Sequence, residues 1–211
     1  RNMVYNVAQS MHWQGDAYDG VEPLVAITAL PLYHIFSLQG NCLLVMAQGG
    51  LNVLITNPRD MPGFVKEIAK FKFNLLTGVN TMFAGLLNTP GFSDIDFAPL
   101  RVVVGGGMAV QPAVARHWHE VTGKPVVQGY GLTETSPILT ILSHDEHVEA
   151  LKTGNKDRLK AAGRPIVGVD MRIVDENGEE VPTGQSGEVT VRAPNVTKGY
   201  LNLPDENARA F

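Results

Sequence analysis

A threonine and a glutamate that stand side by side, Thr133 and Glu134, are the residues of this chain best suited to chemistry. They lie in the run Gln128–Pro137, QGYGLTETSP, where a hydroxyl next to a hard carboxylate oxygen suits a nucleotide phosphate and its magnesium ion. Two glycines around Tyr130 predict a sharp backbone turn and a close approach to a flat ligand. A surface turn built from Gly, Thr and Ser uses the same residue types, so residue chemistry alone supports both interpretations.

The segments that must position this run are of two alternating types. Continuous apolar stretches typical of buried strands cover residues 25–30, 52–55, 74–79, 101–104 and 125–127. Helical patterns precede and separate them, at residues 2–9, 32–46 and 81–87 and in the apolar stripes Phe64, Ile68, Phe71 and Val114, Trp118, Val121. This alternation predicts an α/β fold, with a mostly parallel sheet that carries helices on both faces.

Three of the predicted strand ends carry chemically useful residues. His34 follows the first strand, Gly105–Gly107 follow the fourth, and the run from Gln128 to Glu134 follows the fifth. Ligands of open parallel sheets bind beyond the carboxyl ends of the strands, so the sequence predicts a binding site at this edge.

The glycine run Gly105–Gly107 stands between a strand and a helix, as the dinucleotide fingerprint GxGxxG does. Val110 replaces the third glycine of that fingerprint, and Gln128 ends the next strand where the dinucleotide fold uses an acidic residue for the ribose. A nicotinamide-dependent dehydrogenase is therefore disfavoured.

The second part of the chain has a different pattern. Residues 143–160 form a polar connection with helical character at 146–152. After Pro165, apolar and polar residues alternate at 171–174 and 188–192, and the pair Asn177-Gly178 between them is typical of a tight hairpin. We therefore predict a boundary near residue 160, between an α/β subdomain of residues 1–160 and a small antiparallel β subdomain of residues 161–211.

The composition is that of a globular protein, with 211 residues, 44% of them hydrophobic, and a net charge of −4. The negative charge gives no reason to expect nucleic acid as a partner. The apolar runs are shorter than the ~20 residues that span a bilayer, and the single cysteine, Cys42, cannot form an internal disulfide. These features favour a cytoplasmic location, and they leave open a peripheral contact with the inner membrane face and a homodimer. His144 and His147 are interpreted as part of a solvated face rather than as a metal site.

The motif GYGLTETSP resembles the core signature of the adenylate-forming family, which includes acyl-CoA synthetases, luciferases and the adenylation domains of peptide synthetases. The segments Gly187–Arg192 and Lys198–Leu201 resemble a second signature of the same family. The stretches GGGMAVQ at 105–111 and NTPGF at 88–92 make the chain more similar to the long-chain fatty acid ligases. The resemblance covers essentially the whole chain and implies an acyl-CoA synthetase-like fold that is incomplete.

This resemblance implies an ATP-dependent fatty acid–CoA ligase, which forms an acyl-adenylate with release of pyrophosphate and then transfers the acyl group to coenzyme A. The implied substrates and cofactors are a fatty acid, ATP, coenzyme A and Mg²⁺. Thr133, Glu134 and His34 match catalytic positions, and Glu134 is also the expected metal ligand. The residues expected to line the acyl site are Gly78, Val79 and Met108. The residues expected to contact the nucleotide, with Tyr130 against adenine, are Gly105, Gly106, Gly107, Gln128, Gly129, Tyr130, Gly131, Leu132 and Thr133.

Members of this family also use a phosphate loop with a lysine, an aspartate in a TGD motif and a lysine on a small C-terminal domain. None of these motifs occurs in this sequence, which begins at Arg1 inside one predicted helix and stops at Phe211 inside another. We therefore expect the chain to be a piece of a longer enzyme and to be inactive alone. Another adenylating enzyme, of the amide, peptidyl-thioester or aryl-acid type, is an alternative, as is a non-catalytic nucleotide-binding module.

Overall fold

The computed structural model describes residues 1–211, apart from the side chains of residues 144 and 156. A seven-stranded sheet runs through it in the order β2-β1-β3-β4-β5-β6-β7. The first five strands pair in parallel, and β6 and β7 continue the sheet in antiparallel pairing. The strands are β1 (Val25–Thr28), β2 (Leu51–Leu54), β3 (Leu75–Gly78), β4 (Val102–Gly105), β5 (Val127–Gly131), β6 (Ile138–Ile141) and β7 (Arg164–Pro165). The predicted, mostly parallel sheet is confirmed.

Helices connect the parallel strands, as such connections require. The helices of the chain are α1 (Asn2–Gln14), α2 (35–47), α3 (Met61–Ile68), α4 (Asn80–Leu87), α5 (Pro112–Thr122), α6 (His144–Thr153), α7 (Lys156–Lys160) and α8 (Pro204–Ala210), and of these α2, α3, α4 and α5 make the connections. Across the whole described chain, no helix combines the length and the apolar character that crossing a membrane requires.

Two hydrophobic clusters lie on opposite faces of the sheet, because successive strand side chains alternate between the faces. Leu76 and Val103 point to the cluster beneath α3, α4 and α5, where the Trp118 ring lies 4.9 Å from that of Phe83. Leu75 and Val104 belong to the other cluster, which includes Phe36 and Val45 of α2. The prediction of helices on both faces is therefore confirmed.

Helix α2 contains a wider turn that the sequence pattern does not reveal. Its α-helical ends, Ile35–Ser37 and Leu44–Ala47, flank a π-helical segment, Leu38–Leu43. The fully buried Asn41 lies in this segment, where its Oδ1 accepts a hydrogen bond of 2.7 Å from the Thr77 hydroxyl. This bond ties α2 to β3, and it gives a buried amide oxygen the partner it needs.

The strand that leads into the candidate site is longer than predicted. β5 continues through Gly131 and pairs with β6, so the sharp turn predicted at the two glycines is wrong. Neither Gly129 nor Gly131 has a positive φ, and the chain instead turns after a short 3₁₀ segment, Thr133–Thr135, at Ser136 with a φ of 64°. The antiparallel return through β6 was not predicted.

The second part of the chain forms a separate two-stranded antiparallel sheet, β8 (Asp170–Val174) with β9 (Glu188–Arg192), which confirms the predicted antiparallel pattern. A turn does form at Gly178, whose N–H donates to the Asp175 carbonyl, but it leads back to a single bridge between Val174 and Glu180 rather than directly into β9. The boundary near residue 160 stays a prediction.

A buried asparagine of α1 fixes the start of β6. Asn6 is fully buried, its Nδ2 donates to the Ile138 carbonyl at 2.9 Å, and its Oδ1 accepts from the Ile138 N–H at 3.2 Å. The amide thereby satisfies both backbone groups of Ile138, as a neighbouring strand would do.

Replacing Asn6 by alanine is therefore expected to lower the free energy of unfolding by about 2 kcal/mol, because the Ile138 N–H loses its bond to the amide and the Ile138 carbonyl keeps only its second bond, from Asn195. Chemical denaturation measures the change. His12→Ala, at an exposed position of the same helix, is the control and should stay within ~0.5 kcal/mol of the parent. Equal effects of the two substitutions would contradict this role of Asn6.

Candidate functional site

A cleft of about 280 Å³ opens beyond the carboxyl ends of β1, β4 and β5. It brings together three separate segments that the sequence placed at strand ends: His34, the glycine run Gly105–Gly107, and the residues from Gly129 to Glu134. Ile35, Phe36, Val104, Pro137 and Ile138 also line it, and sequence reasoning missed them. Their apolar character gave no chemical signal, since they could equally have been core.

The glycine run forms a wall of the cleft with no room for side chains. A Cβ atom on Gly105 would lie 2.5 Å from Val110, and one on Gly106 would lie 3.0 Å from the Phe36 ring. Gly107 adopts a φ of 75°, which glycine tolerates far better than other residues. The wall is thus bare backbone, a surface suited to a flat ring.

Gln128 is predicted to contact the nucleotide, but its side chain lies behind the cleft rather than in its lining. It is buried, and its Oε1 accepts a hydrogen bond of 2.9 Å from the Val110 N–H. Its Nε2 donates to the Leu159 carbonyl at 2.5 Å. The amide therefore ties the end of the glycine loop to α7, and its contact with a nucleotide stays a prediction.

The turn that carries Thr133 and Glu134 is held by its own backbone and by Thr135. The Leu132 N–H donates to the Pro137 carbonyl at 3.1 Å and to the Thr135 hydroxyl at 2.9 Å. Thr135 is buried, whereas Thr133 is exposed toward the cleft. These bonds fix the turn before any ligand arrives, so little ordering is left to be done on binding.

Glu134 is the acidic residue of the cleft. The Tyr200 hydroxyl donates to its Oε1 at 2.7 Å, and the Thr197 N–H donates to its backbone carbonyl at 2.7 Å. The hydrogen bond to Glu134 is the main reason that the pKa of Tyr200 is raised above its usual value. Sequence reasoning assigned no chemical role to Tyr200, which lies 66 positions from Glu134.

A magnesium ion fits this arrangement only with the help of a ligand. Among the described residues, no group of three or more His, Cys, Asp and Glu side chains could hold a metal ion by itself. Mg²⁺ usually takes one or two protein carboxylates together with phosphate oxygens and water. Glu134 is one such carboxylate, and it lines the cleft.

His34 begins α2 and lies at the cleft with an exposed side chain. Its Nδ1 accepts a hydrogen bond of 3.2 Å from the Phe36 N–H, so Nε2 is the nitrogen left to meet a ligand. Among the described residues that line the cleft there is no lysine or arginine. The site therefore presents a carboxylate, a hydroxyl and a histidine, without a permanent positive charge.

A smaller, apolar cavity of about 30 Å³ lies beside the cleft, between α1, α2 and the sheet. Phe36, Val104 and Ile138 line both spaces, so the two spaces adjoin. The predicted acyl-site residues line neither space: Gly78 pairs with Gly105 within the sheet, Val79 follows it, and Met108 is 61% exposed. Their role in acyl binding stays a prediction.

The prediction that His144 and His147 form a solvated face can be checked for one of the two. His147 is fully buried, so its assignment to a solvated face is wrong. Its partner in that assignment, His144, has a side chain outside the described part of the structure. The helix α6 turns residue 147 toward the core, which polar neighbours in the sequence did not suggest.

Comparisons with known proteins add an independent view of the chain. The family model described as AMP-binding enzyme matches residues 1–201. The long-chain-fatty-acid–CoA ligase of Yersinia pestis is 46% identical over 209 residues, which cover 97% of this chain and 35% of that protein. The ligase of the same name from Escherichia coli is 44% identical over 205 residues, with the same coverage. The crystal structure of ATP-bound MatB from Rhodopseudomonas palustris has a TM-score of 0.79 at 26% identity, covering 100% of this chain and 39% of that one. The chain thus spans only about a third of the length of these relatives.

The two glycines of β5 provide a matched test of the site's packing. A Cβ on Gly131 would lie 1.7 Å from the Pro137 carbonyl oxygen, whereas one on Gly129 would make only ordinary contacts at 3.7 Å or more. Gly131→Ala is therefore expected to lower the free energy of unfolding by about 2 kcal/mol or more, because the backbone must move apart. Gly129→Ala should change it by less than ~1 kcal/mol.

Denaturant titration of the two variants beside the parent measures this difference. A Gly131→Ala variant as stable as Gly129→Ala would show that the turn does not depend on the close approach.

Proposed function

Because the chain belongs to the family of AMP-binding enzymes, we propose that it forms the nucleotide-binding part of an ATP-dependent fatty acid–CoA ligase. In the proposed reaction, a fatty acid carboxylate attacks the α-phosphate of ATP and pyrophosphate leaves. The thiol of coenzyme A then attacks the acyl carbon of the resulting acyl-adenylate, and AMP leaves. The observation that carries the proposal is the cleft in which Thr133 and Glu134 face the bare glycine wall. Identity of 46% to a long-chain ligase supports a fatty acid as the substrate.

The nucleotide is proposed to lie with adenine along Gly105–Gly107, where no side chain intervenes. Tyr130, which lines the cleft and is 37% exposed, closes on the ring from the β5 side. A flat ring between backbone and an aromatic side chain gains contact area at low conformational cost. Shape rather than charge therefore selects the base.

The phosphates are proposed to reach the turn at Thr133–Thr135. The Thr133 hydroxyl donates a hydrogen bond to a phosphate oxygen, and the Glu134 carboxylate holds Mg²⁺. The bound ion supplies neutralisation of the phosphate charge. His34 lies across the cleft, where Nε2–H can donate to the entering carboxylate or to a phosphate oxygen.

The charge of the cleft sets a limit on what these residues can do alone. Transfer at a phosphate develops negative charge, which needs preorganised cations or donors. Among the described cleft residues none is a lysine or arginine, so those cations must come from outside this chain's cleft. We therefore propose that the 211 residues bind the adenylate but do not complete catalysis by themselves.

The acyl chain is proposed to enter the apolar cavity behind Phe36. That cavity adjoins the cleft through Phe36, Val104 and Ile138, and it is lined mainly by apolar side chains. Gly40 of α2 forms part of its wall and leaves space there. Burial of each methylene group contributes ~0.8 kcal/mol, and because the empty space of about 30 Å³ holds little more than one such group, a longer chain must move the lining side chains apart.

Replacing Glu134 by glutamine in the full-length protein should reduce fatty-acid-dependent pyrophosphate–ATP exchange by about a hundredfold, because the neutral amide is a poor ligand for Mg²⁺. The fold should persist, since the amide oxygen can still accept from Tyr200. Glu120→Gln, at an exposed position on α5, is the control and should exchange at the parent's rate. Unchanged exchange in Glu134→Gln would refute the assignment of the metal ligand.

Replacing Gly40 by valine should lower kcat/KM for long-chain acids by about tenfold relative to short-chain acids, because the side chain occupies the proposed acyl path. A Cβ at this position meets the Phe36 ring at an ordinary 3.7 Å, so the helix should tolerate it. Ala47→Val, exposed on the same helix, is the control. A chain-length profile that does not change would place the acyl group elsewhere.

A further inference from the structure

A tyrosine from the C-terminal part of the chain reaches the acidic residue of the cleft. The Tyr200 hydroxyl donates to Glu134 Oε1 at 2.7 Å, while Tyr200 itself does not line the cleft. Glu134 has a second carboxylate oxygen, Oε2, which this bond leaves available. One oxygen is thus held by the protein, and the other can serve a ligand.

Tyr200 is fixed on its far side by α8. The Asn207 side chain accepts from the Tyr200 N–H at 2.6 Å and donates to the Tyr200 carbonyl at 2.9 Å. The Phe211 ring packs edge-on against the Tyr200 ring, with centroids 5.5 Å apart. Gly199 adopts a φ of 137°, and a Cβ there would lie 2.9 Å from the Asn207 side chain, so the approach depends on glycine. These contacts leave the tyrosine few orientations.

The segment just before Tyr200 docks on the same turn. The buried Asn195 donates from Nδ2 to the Thr135 carbonyl at 2.5 Å, and the Thr197 N–H donates to the Glu134 carbonyl at 2.7 Å. Asn2 of α1 in turn donates to the carbonyls of Pro194 and Val196, at 2.8 and 2.6 Å. The backbone of Glu134 and the anchor of its side chain therefore come from one continuous segment, 194–200.

We propose that Tyr200 is a positioning residue for the Glu134 carboxylate: its hydroxyl holds Oε1 so that Oε2 faces a divalent cation brought by the nucleotide. This inference rests on the proposed function, because it takes Glu134 as the cation's ligand. A carboxylate on a free side chain would lose rotamer freedom when it binds the cation, and the tyrosine removes that loss in advance. A hydrogen bond to a ligating carboxylate is an interaction on which metal affinity commonly depends.

Mg²⁺ titration of the exchange reaction in the full-length protein tests the proposal. Tyr200→Phe removes only the hydroxyl, and it should raise the half-saturating Mg²⁺ concentration by about tenfold while the rate at saturating Mg²⁺ stays near the parent's. Tyr5→Phe, which removes an exposed hydroxyl on α1, is the matched control and should titrate like the parent. In a double variant with Glu134→Gln, Tyr200→Phe should add little, because the two residues act as one unit.

Each other outcome has a definite meaning. An unchanged Mg²⁺ requirement in Tyr200→Phe, or a lower maximal rate without a shift in that requirement, would overturn the positioning role. Tyr200 would then only link the C-terminal segment to the turn at Glu134. Absence of fatty-acid-dependent exchange in the unsubstituted full-length protein would instead refute the proposed function, and normal exchange in Glu134→Gln would refute the assignment of the metal ligand, so these failures are distinguishable.

Asn207→Ala provides a second route that leaves the tyrosine hydroxyl in place. Loss of its two bonds to the Tyr200 backbone should raise the Mg²⁺ requirement in the same direction by a smaller factor, and a thermal melt checks that the fold persists. If Tyr200→Phe fails to fold, this variant decides the question, and an unchanged Mg²⁺ requirement in it overturns the proposal.

Discussion

The close approach of two backbone segments at Gly131 and Pro137 is the contact on which the candidate site depends. Only a residue without a Cβ lets β5 and the returning chain come this near, and the turn that carries Thr133 and Glu134 is closed by that approach. The carbonyl groups of this turn accept hydrogen bonds from Asn195 and Thr197, so the C-terminal segment has a fixed surface on which to dock. The contact between the two backbone segments thus positions the polar groups of the turn, and hydrogen bonds from side chains then hold them in place.

Different residues of the site provide its shape and its charge. Backbone glycines and Tyr130 provide a slot, and Glu134 provides a single negative charge that Tyr200 holds in place. In the proposed function, the ligand itself completes the electrostatics, since Mg²⁺ shared between Glu134 and phosphate oxygens satisfies both. In that function, a phosphate-bearing ligand without a cation would bind more weakly, because its negative charge would meet an uncompensated carboxylate.

Much of the fold could be predicted from the sequence, because buried parallel strands consist of continuous apolar residues, as in Val102–Val104. The rule that ligands bind at the carboxyl ends of strands then brought His34, Gly105–Gly107 and Glu134 to one place. The extent of β5 could not be predicted in this way, because Gly-Tyr-Gly has the composition of a turn although it is extended here. The short β6 lacked a pattern of its own, and it is defined by its partners.

Contacts between distant positions were the other part that local pattern could not supply. Nothing near Tyr200 in the sequence marks Glu134 as its partner, and nothing in α2 marks the π-helical turn that buries Asn41. Similarly, Gln128 belongs to the predicted motif, yet its side chain serves the loop behind the cleft. Hydrophobic periodicity predicts which face of an element is buried, but it does not predict which buried amide bonds to which carbonyl.

The ring of Phe36 has a consequence for how such a protein can diverge. It lies against the glycine wall at Gly106 and is also part of the boundary between the cleft and the apolar cavity. A larger or smaller residue at this position would therefore change the cleft beside the glycine wall and the neighbouring apolar cavity in one step. In the proposed function, the preference for the nucleotide and the preference for the acid thus depend on a single side chain, so selection on either must preserve the other or compensate for it elsewhere.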